Sequence, residues 1–150
     1  MLQEGDQAPN IQVQCDSGEP FNLESLRGKK VVLYFYPRAS TPGCTVEARE
    51  FRDAIKKFEK KDAVVIGVSP DTPKAQSKFK TNECLPFLLL CDVGKEVAQS
   101  YGVLKEKNMY GKKVIGIERT TFVIDEKGKI RKIFPKVKPE GHAQQVLAAL

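Results

Sequence analysis

The residues of this chain best suited to redox chemistry are its four cysteines. They stand at positions Cys15, Cys44, Cys84 and Cys91, and no two of them form a Cys-x-x-Cys pair. A structural zinc site needs clustered pairs of ligands, and the one histidine, His142, cannot supply them. The pattern therefore favours the chemistry of single thiols over a metal site or a disulfide-rich scaffold.

Cys44 stands where a strand is expected to turn into a helix. Taking Thr41 as the N-cap puts Pro42 at the first helical position and Cys44 at the third. Free backbone amides and the helix dipole favour an anion there, in this case a thiolate. The spacing to Ala48 and Phe51 places the sulfur on the apolar face of the helix, where burial disfavours charge. A reactive thiolate at this position therefore requires a cation from elsewhere in the chain.

The elements that must position Cys44 follow from the hydrophobic pattern. Three continuous apolar runs predict strands buried on both faces of a parallel sheet. They cover residues 31–36, 63–68 and 87–90. Apolar residues at three-and-four spacing over 48–58 predict one long helix after the first run. A second helix is expected after Asp71-Thr72-Pro73, which offers a cap followed by proline.

The last third of the chain has a different character. The runs 120–124 and 130–134 flank a turn and predict an antiparallel hairpin, and a helix is expected at the C-terminus. Residues 107–111 are expected to form a loop near the pocket, and His142 is expected at the surface. With a peripheral hairpin near the N-terminus, the order predicts a single α/β domain over residues 1–150. Its mixed central sheet would carry helices on both faces.

Composition excludes several classes of function. The formal net charge is +6, but lysines alternate with acids, as in residues 52–62, which is typical of a solvated helix face. Nucleic-acid binding is therefore not expected. No run approaches about eighteen apolar residues, so no membrane span is expected. The first residues lack the basic and apolar regions of a signal peptide, and the cytoplasm is the expected location.

The sequence around Cys44 resembles the active-site signature of the peroxiredoxins. The match is residues 41–45, Thr-Pro-Gly-Cys-Thr, with Pro37 before them, and the most similar branch is the bacterioferritin comigratory protein or Q-type group. This resemblance implies a thioredoxin-like fold and a peroxidatic role for Cys44. It also implies that Thr41 binds the peroxide, that Pro37 shields the pocket, and that Arg119 is the required cation.

The resemblance further implies a hydroperoxide substrate, recycling by thioredoxin or a similar thiol reductant, no cofactor and a monomeric state. A thiol–disulfide oxidoreductase is disfavoured because the paired cysteines are missing. A redox-sensing or chaperone-like thiol protein, which would consume peroxide only stoichiometrically, is the alternative that stays open.

The resemblance does not identify the second thiol of the cycle. Arg49 occupies the position five residues after Cys44 where many members of the branch have a resolving cysteine, and Lys80 occupies the other usual position. Cys84 lies four residues beyond Lys80, at the expected end of the second helix before Pro86. Either Cys84 resolves Cys44 after local unfolding, or an external thiol does so in a one-cysteine cycle.

Overall fold

A seven-stranded mixed sheet forms the centre of the computed structural model, which describes residues 2–150 apart from the side chains of residues 107 and 109. The strands are β1 (Gln12–Cys15), β2 (Pro20–Asn22), β3 (Lys30–Phe35), β4 (Ala63–Ser69), β5 (Leu88–Cys91), β6 (Leu104–Met109), β7 (Lys112–Ile117), β8 (Thr120–Ile124) and β9 (Ile130–Phe134). Their order in the sheet is β2-β1-β5-β4-β3-β8-β9, while β6 and β7 pair separately.

Five α-helices are described around the sheet. They are α1 (Pro42–Asp53), α2 (Ile55–Lys60), α3 (Pro73–Glu83), α4 (Glu96–Ser100) and α5 (His142–Ala148), with a short 3₁₀ turn at Leu23–Leu26. Among the residues that the structure describes, no helix is long and apolar enough to cross a membrane.

The direction of the strands creates the place where the site forms. β3, β4 and β5 are parallel, and β8 runs antiparallel to β3 with Thr120 opposite Phe35. The start of β8 therefore lies beside the end of β3, from which the chain continues into α1. Open α/β sheets gather their functional loops at this edge.

The side chains of β3 alternate between two cores, one on each face of the sheet. Val31, Leu33 and Phe35 pack in the cluster that contains α4 residues, whereas Val32 and Tyr34 pack in the cluster that contains residues of α1, α2, α3 and α5. These five side chains are all 2% exposed or less, as expected for a central strand. The predicted mixed sheet with helices on both faces is confirmed.

The prediction of one helix over residues 48–58 is wrong in one respect. The helix is interrupted at Ala54, whose backbone has φ −98° and ψ 4°, so α1 and α2 are separate elements. The apolar spacing does not reveal the break because Phe51, Ala54 and Phe58 are buried on both sides of it.

The predicted loop at residues 107–111 is instead part of a β-hairpin. β6 and β7 pair in register from Leu104 opposite Ile117 to Met109 opposite Lys112. Tyr110 and Gly111 form the turn, and both have positive φ, as two-residue hairpin turns require. Val114 and Ile115 are consecutive and both exposed, so the alternation of buried and exposed residues that predicts a strand is absent.

Candidate active site

Cys44 lies in the first turn of α1, as predicted. Thr41 is the N-cap, Pro42 and Gly43 follow, and the carbonyl of Thr41 accepts the backbone N–H of Thr45 at 2.9 Å. Cys44 is 1% exposed and packs in the cluster that includes Tyr34. The sulfur is thus held at the positive end of the helix and largely shielded from water.

The guanidinium of Arg119 contacts the Cys44 sulfur. Its Nη2 donates to the Cys44 Sγ at 3.4 Å, and its Nη1 donates to Glu47 Oε1 at 2.7 Å. Arg119 reaches this position because it immediately precedes β8, whose first residue lies opposite the last residue of β3. Its backbone carbonyl accepts the N–H of Val137 at 2.8 Å, which ties the segment after β9 to the site.

Gly43 allows the guanidinium to come this close. A Cβ at this position would lie 3.3 Å from Arg119 Nη2 and 3.4 Å from Pro139 Cγ, so the arginine would have to shift. The glycine of the signature therefore serves the packing of Arg119 against the first turn of α1.

Glu47 shares Arg119 with the thiol. Its side chain is fully buried, and Glu47 Oε2 has no hydrogen-bond partner among the described residues. Burial raises the pKa of Glu47 to about 7, although the nearby Arg119 charge opposes this shift. Burial also disfavours the charged form of Arg119, but Glu47 and Cys44 outweigh it and raise the pKa of Arg119.

Tyr34 completes the buried wall behind the thiol. It is fully buried, and its hydroxyl oxygen also has no partner among the described residues. Burial, with smaller contributions from Tyr36, Glu47 and Cys44, raises the pKa of Tyr34 well above its ordinary value. The phenol therefore stays neutral beside the charged groups.

Thr41 and Pro37 lie on the segment that enters α1. The Thr41 hydroxyl donates to the carbonyl oxygen of Arg38 at 2.8 Å and makes no capping bond. Pro37 follows β3 directly after the buried Tyr36 and is itself half-buried. Both residues thus lie on the segment between the end of β3 and the thiol.

Cys84 lies at the end of α3, away from the buried face of α1. It is exposed and adopts a left-handed C-cap conformation with φ 53°. The preceding Glu83 is held on the outer side of α1, since its carboxylate pairs with Arg49 Nε at 2.5 Å and its carbonyl accepts from Arg52 Nη1 at 2.8 Å. Because Cys44 faces the core, joining the two sulfurs requires local unfolding.

The expectation that His142 lies at the surface is wrong. The side chain is 2% exposed, its Nε2 lies 2.7 Å from Thr121 Oγ1, and its ring packs edge-on against Phe51 and Phe134. Packing of α5 onto α1 buries the first residue of α5, a long-range effect that the local sequence does not report. Burial lowers the pKa of His142.

The two remaining thiols, Cys15 and Cys91, are buried. Cys15 and Cys91 lie on neighbouring strands at 6% exposure each, and burial raises the pKa of Cys91 to about 12. Within residues 2–150, apart from the two undescribed side chains, no cluster of His, Cys, Asp and Glu could hold a metal ion.

Comparison with known proteins decides the family. The AhpC/TSA family matches residues 4–133 of this chain. Peroxiredoxin Bcp of Bacillus subtilis is 46% identical over 97% of this chain and 93% of its own length. The chain is a peroxiredoxin of the AhpC/TSA family.

Further relatives of this peroxiredoxin confirm the branch and the thioredoxin-like fold. A putative peroxiredoxin bcp from Coxiella burnetii is 48% identical over 99% of both chains. A cysteine-to-serine variant of PrxQ from Xylella fastidiosa superposes with a TM-score of 0.93 at 34% identity, covering 99% of this chain and 94% of its own. The bacterioferritin comigratory protein of Xanthomonas campestris superposes with a TM-score of 0.89 at 39% identity, covering 93% of this chain and 88% of its own.

Glu47 is the residue of this peroxiredoxin site that sequence reasoning missed. Its position three residues after Cys44 places it on the same side of α1, and it is buried there with Ala48. A carboxylate on an otherwise apolar helix face is unusual, and that is the signal from which its pairing with a cation could have been predicted.

Replacing Glu47 by glutamine is expected to change the pH dependence of stability. The folded-state pKa of Glu47, about 7, exceeds the ordinary value of 4.5. In the pH interval between these two values, Glu47 therefore keeps its proton in the folded protein but has lost it in the unfolded chain. As pH rises through the interval, the free energy of unfolding of the parent should fall by about 3 kcal/mol relative to Glu47→Gln.

Urea unfolding of both proteins near pH 4.5 and near pH 8 measures this difference. Glu59→Gln, at an exposed position of α2, is the matched control for losing a carboxylate. A stability difference between the parent and Glu47→Gln that stayed constant across the interval would contradict the proposed burial effect.

Proposed function

We propose that this peroxiredoxin reduces hydrogen peroxide and organic hydroperoxides through a sulfenic acid on Cys44, and that thioredoxin or a similar thiol protein recycles it. The observation that carries the proposal is the Arg119 guanidinium bonded at once to the Cys44 sulfur and to a buried carboxylate. The Xanthomonas campestris relative, described for its alkyl peroxide reduction activity, supports the same substrate class.

The chemistry balances in three stages. The Cys44 thiolate attacks one peroxide oxygen, the O–O bond breaks, and Cys44 becomes a sulfenic acid while the departing oxygen takes up a proton as water or an alcohol. A second thiol then attacks the sulfenic sulfur, which forms a disulfide and releases water. A further thiol reduces the disulfide and returns Cys44 to its starting state.

Each residue of the site has a role in the first stage. Arg119 contacts sulfur and peroxide oxygens together, because its planar guanidinium presents several donors in fixed directions. Thr41 binds the peroxide, and Pro37 limits the access of water to the thiol. Cys44 at the helix N-terminus supplies the nucleophile.

Two routes remain for the second stage. In one, the C-terminal turn of α3 unfolds and Cys84 forms an internal disulfide with Cys44. In the other, the external reductant attacks the sulfenic acid directly. The exposure of Cys84 and its position in a left-handed cap support the first route, because a strained terminal turn opens at low cost. The bonds that hold Glu83 to α1 oppose it.

Intact mass after one equivalent of peroxide separates the routes, and a coupled assay tests the cycle. If Cys84 resolves Cys44, the parent loses two hydrogens, whereas Cys84→Ser gains one oxygen. If the cycle uses one cysteine, both proteins gain one oxygen. With thioredoxin and its reductase present, the enzyme consumes many equivalents of peroxide. Consumption that stopped at about one equivalent under every thiol reductant would contradict the proposed enzyme and favour a sensor.

A further inference from the structure

The loop that carries Thr41 is fastened to the neighbouring strand by a carboxylate. Asp71 follows β4, and its Oδ2 accepts the backbone N–H of Ala39 at 2.7 Å and the hydroxyl of Ser69 at 2.7 Å. The predicted cap followed by proline is present, since Thr72 is the N-cap of α3 and its hydroxyl oxygen accepts the N–H of Ala75 at 3.2 Å. The Asp71 carboxylate is therefore free for this different role.

The peptide unit between Arg38 and Ala39 is held from both sides. Its N–H donates to Asp71 Oδ2, and its carbonyl oxygen accepts the Thr41 hydroxyl at 2.8 Å. The two groups are rigidly linked because a peptide unit is planar. A carboxylate on the N–H side also polarises the carbonyl and makes it a stronger acceptor. Asp71 therefore acts on the Thr41 hydroxyl without touching it.

This arrangement determines whether the Thr41 hydroxyl can donate or accept a further hydrogen bond. Since its hydrogen is committed to Arg38, its oxygen is left with lone pairs and can only accept a further hydrogen bond. An organic hydroperoxide carries one O–H and hydrogen peroxide carries two, each of them a donor, and Arg119 supplies only donors. Thr41 and Arg119 thus bind opposite kinds of groups on the same small molecule.

The loop needs such an external anchor. Ser40, between Ala39 and Thr41, has φ +65°, a conformation that residues other than glycine rarely adopt. Backbone of this kind persists only where its surroundings hold it. Asp71 is half-buried, and Ala39 and Ser69 are buried, so the anchor is shielded from competing water.

We propose that Asp71 is a positioning residue for the peroxide, acting through the Arg38–Ala39 peptide to hold the Thr41 oxygen as the acceptor of the hydroperoxide O–H. The inference rests on the proposed peroxidase function and adds to it a specific element of substrate orientation. It concerns the approach of the peroxide and leaves the reactivity of the sulfur itself unchanged.

The test compares two reactions of Cys44 in Asp71 variants. Asp71→Ala is expected to lower the second-order rate constant with hydrogen peroxide about tenfold, and Asp71→Asn severalfold, as expected for losing or neutralising a bond to a charged acceptor. The rate constant with iodoacetamide, which needs no bond to Thr41, should stay at the parental value. Because the chain has no tryptophan, competition with a coloured haem peroxidase reports the peroxide rate.

A double-mutant cycle separates positioning from general damage. Thr41→Val removes the hydroxyl without removing a cap, since the Thr41 side chain makes no capping bond. In the Thr41→Val background, Asp71→Ala should cause no further loss of peroxide rate. Asp125→Ala is the matched control, because Asp125 likewise accepts backbone N–H groups, from Lys127 and Lys129, but at the turn between β8 and β9.

Three results would overturn the inference. The first is an undiminished peroxide rate in Asp71→Asn, which keeps the size of the side chain and is the decisive variant if Asp71→Ala fails to fold. The second is that Asp71→Ala lowers the peroxide rate equally in the presence and absence of the Thr41 hydroxyl. The third is that it lowers the iodoacetamide rate as much as the peroxide rate. Failure of the proposed function would look different, since the parent itself would then react with peroxide no faster than free cysteine.

Discussion

Replacing Cys44 by serine is expected to reduce peroxide consumption to the uncatalysed background. A serine hydroxyl stays neutral at pH 7 even beside Arg119. Its oxygen also cannot take up an oxygen atom from the peroxide, as sulfur does when it becomes a sulfenic acid. The fold should survive, because the exchange alters one atom of a side chain in the first turn of α1. The thioredoxin-coupled assay measures the loss.

Cys91→Ser is the control for this experiment, because it makes the same exchange at another buried thiol on β5. It should keep the parental turnover in the fraction that folds. Peroxide turnover by Cys44→Ser at the parental rate would mean that another group does the chemistry, and the assignment of Cys44 would be wrong.

Replacing Arg119 by lysine is expected to lower the rate constant with hydrogen peroxide about a hundredfold or more, the usual size for losing a preorganised donor to developing charge. Lysine retains the positive charge beside the sulfur, so the reaction of Cys44 with iodoacetamide should change far less. However, lysine lacks the planar guanidinium, which donates hydrogen bonds to Cys44 Sγ and to Glu47 Oε1 at the same time. The ratio of the two rate constants is the quantity to compare between parent and variant.

Arg49→Lys provides the control, since Arg49 lies on the exposed side of the same helix and pairs with Glu83. It should leave both rate constants near the parental values. If Arg119→Lys reacted with peroxide like the parent, or lost both reactions equally, the guanidinium would have no special role in peroxide attack.

The size expected for Arg119→Lys follows from how little ionisation alone can contribute. For an ordinary thiol at pH 7, complete ionisation raises the thiolate share about thirtyfold. The accompanying loss of basicity reduces nucleophilicity by about tenfold, so the net gain is about threefold. The larger contribution must come from orienting the peroxide and stabilising charge on the departing oxygen, which are roles of Arg119 and Thr41.

Much of the fold and the centre of the site could be predicted from the sequence. Continuous apolar runs identified β3 and β4 because both faces of a central strand are buried, and the Thr-Pro-Gly-Cys order located the first turn of α1. Arg119 lies 75 residues from Cys44, and only the resemblance to a family connected them.

The features that sequence reasoning missed depend on long-range packing or lack a local pattern. The cap and proline at residues 71–73 were predicted correctly, but only the folded chain shows the Asp71 carboxylate bonded to the distant Ala39. The burial of His142 depends on where α5 docks. The β6–β7 hairpin projects apolar residues into solvent and has no periodicity to detect.

The most direct test of the proposed site is a pair of rate constants for Cys44 in the unmodified protein, one with hydrogen peroxide and one with iodoacetamide, each divided by the value for the free cysteine thiolate. A site that orients and stabilises a breaking O–O bond predicts a peroxide ratio of about a thousand or more, with an iodoacetamide ratio within about tenfold of one. Two ratios of similar size would contradict it, because the sulfur would then be merely activated, and Arg119 and Thr41 would do nothing specific for the peroxide.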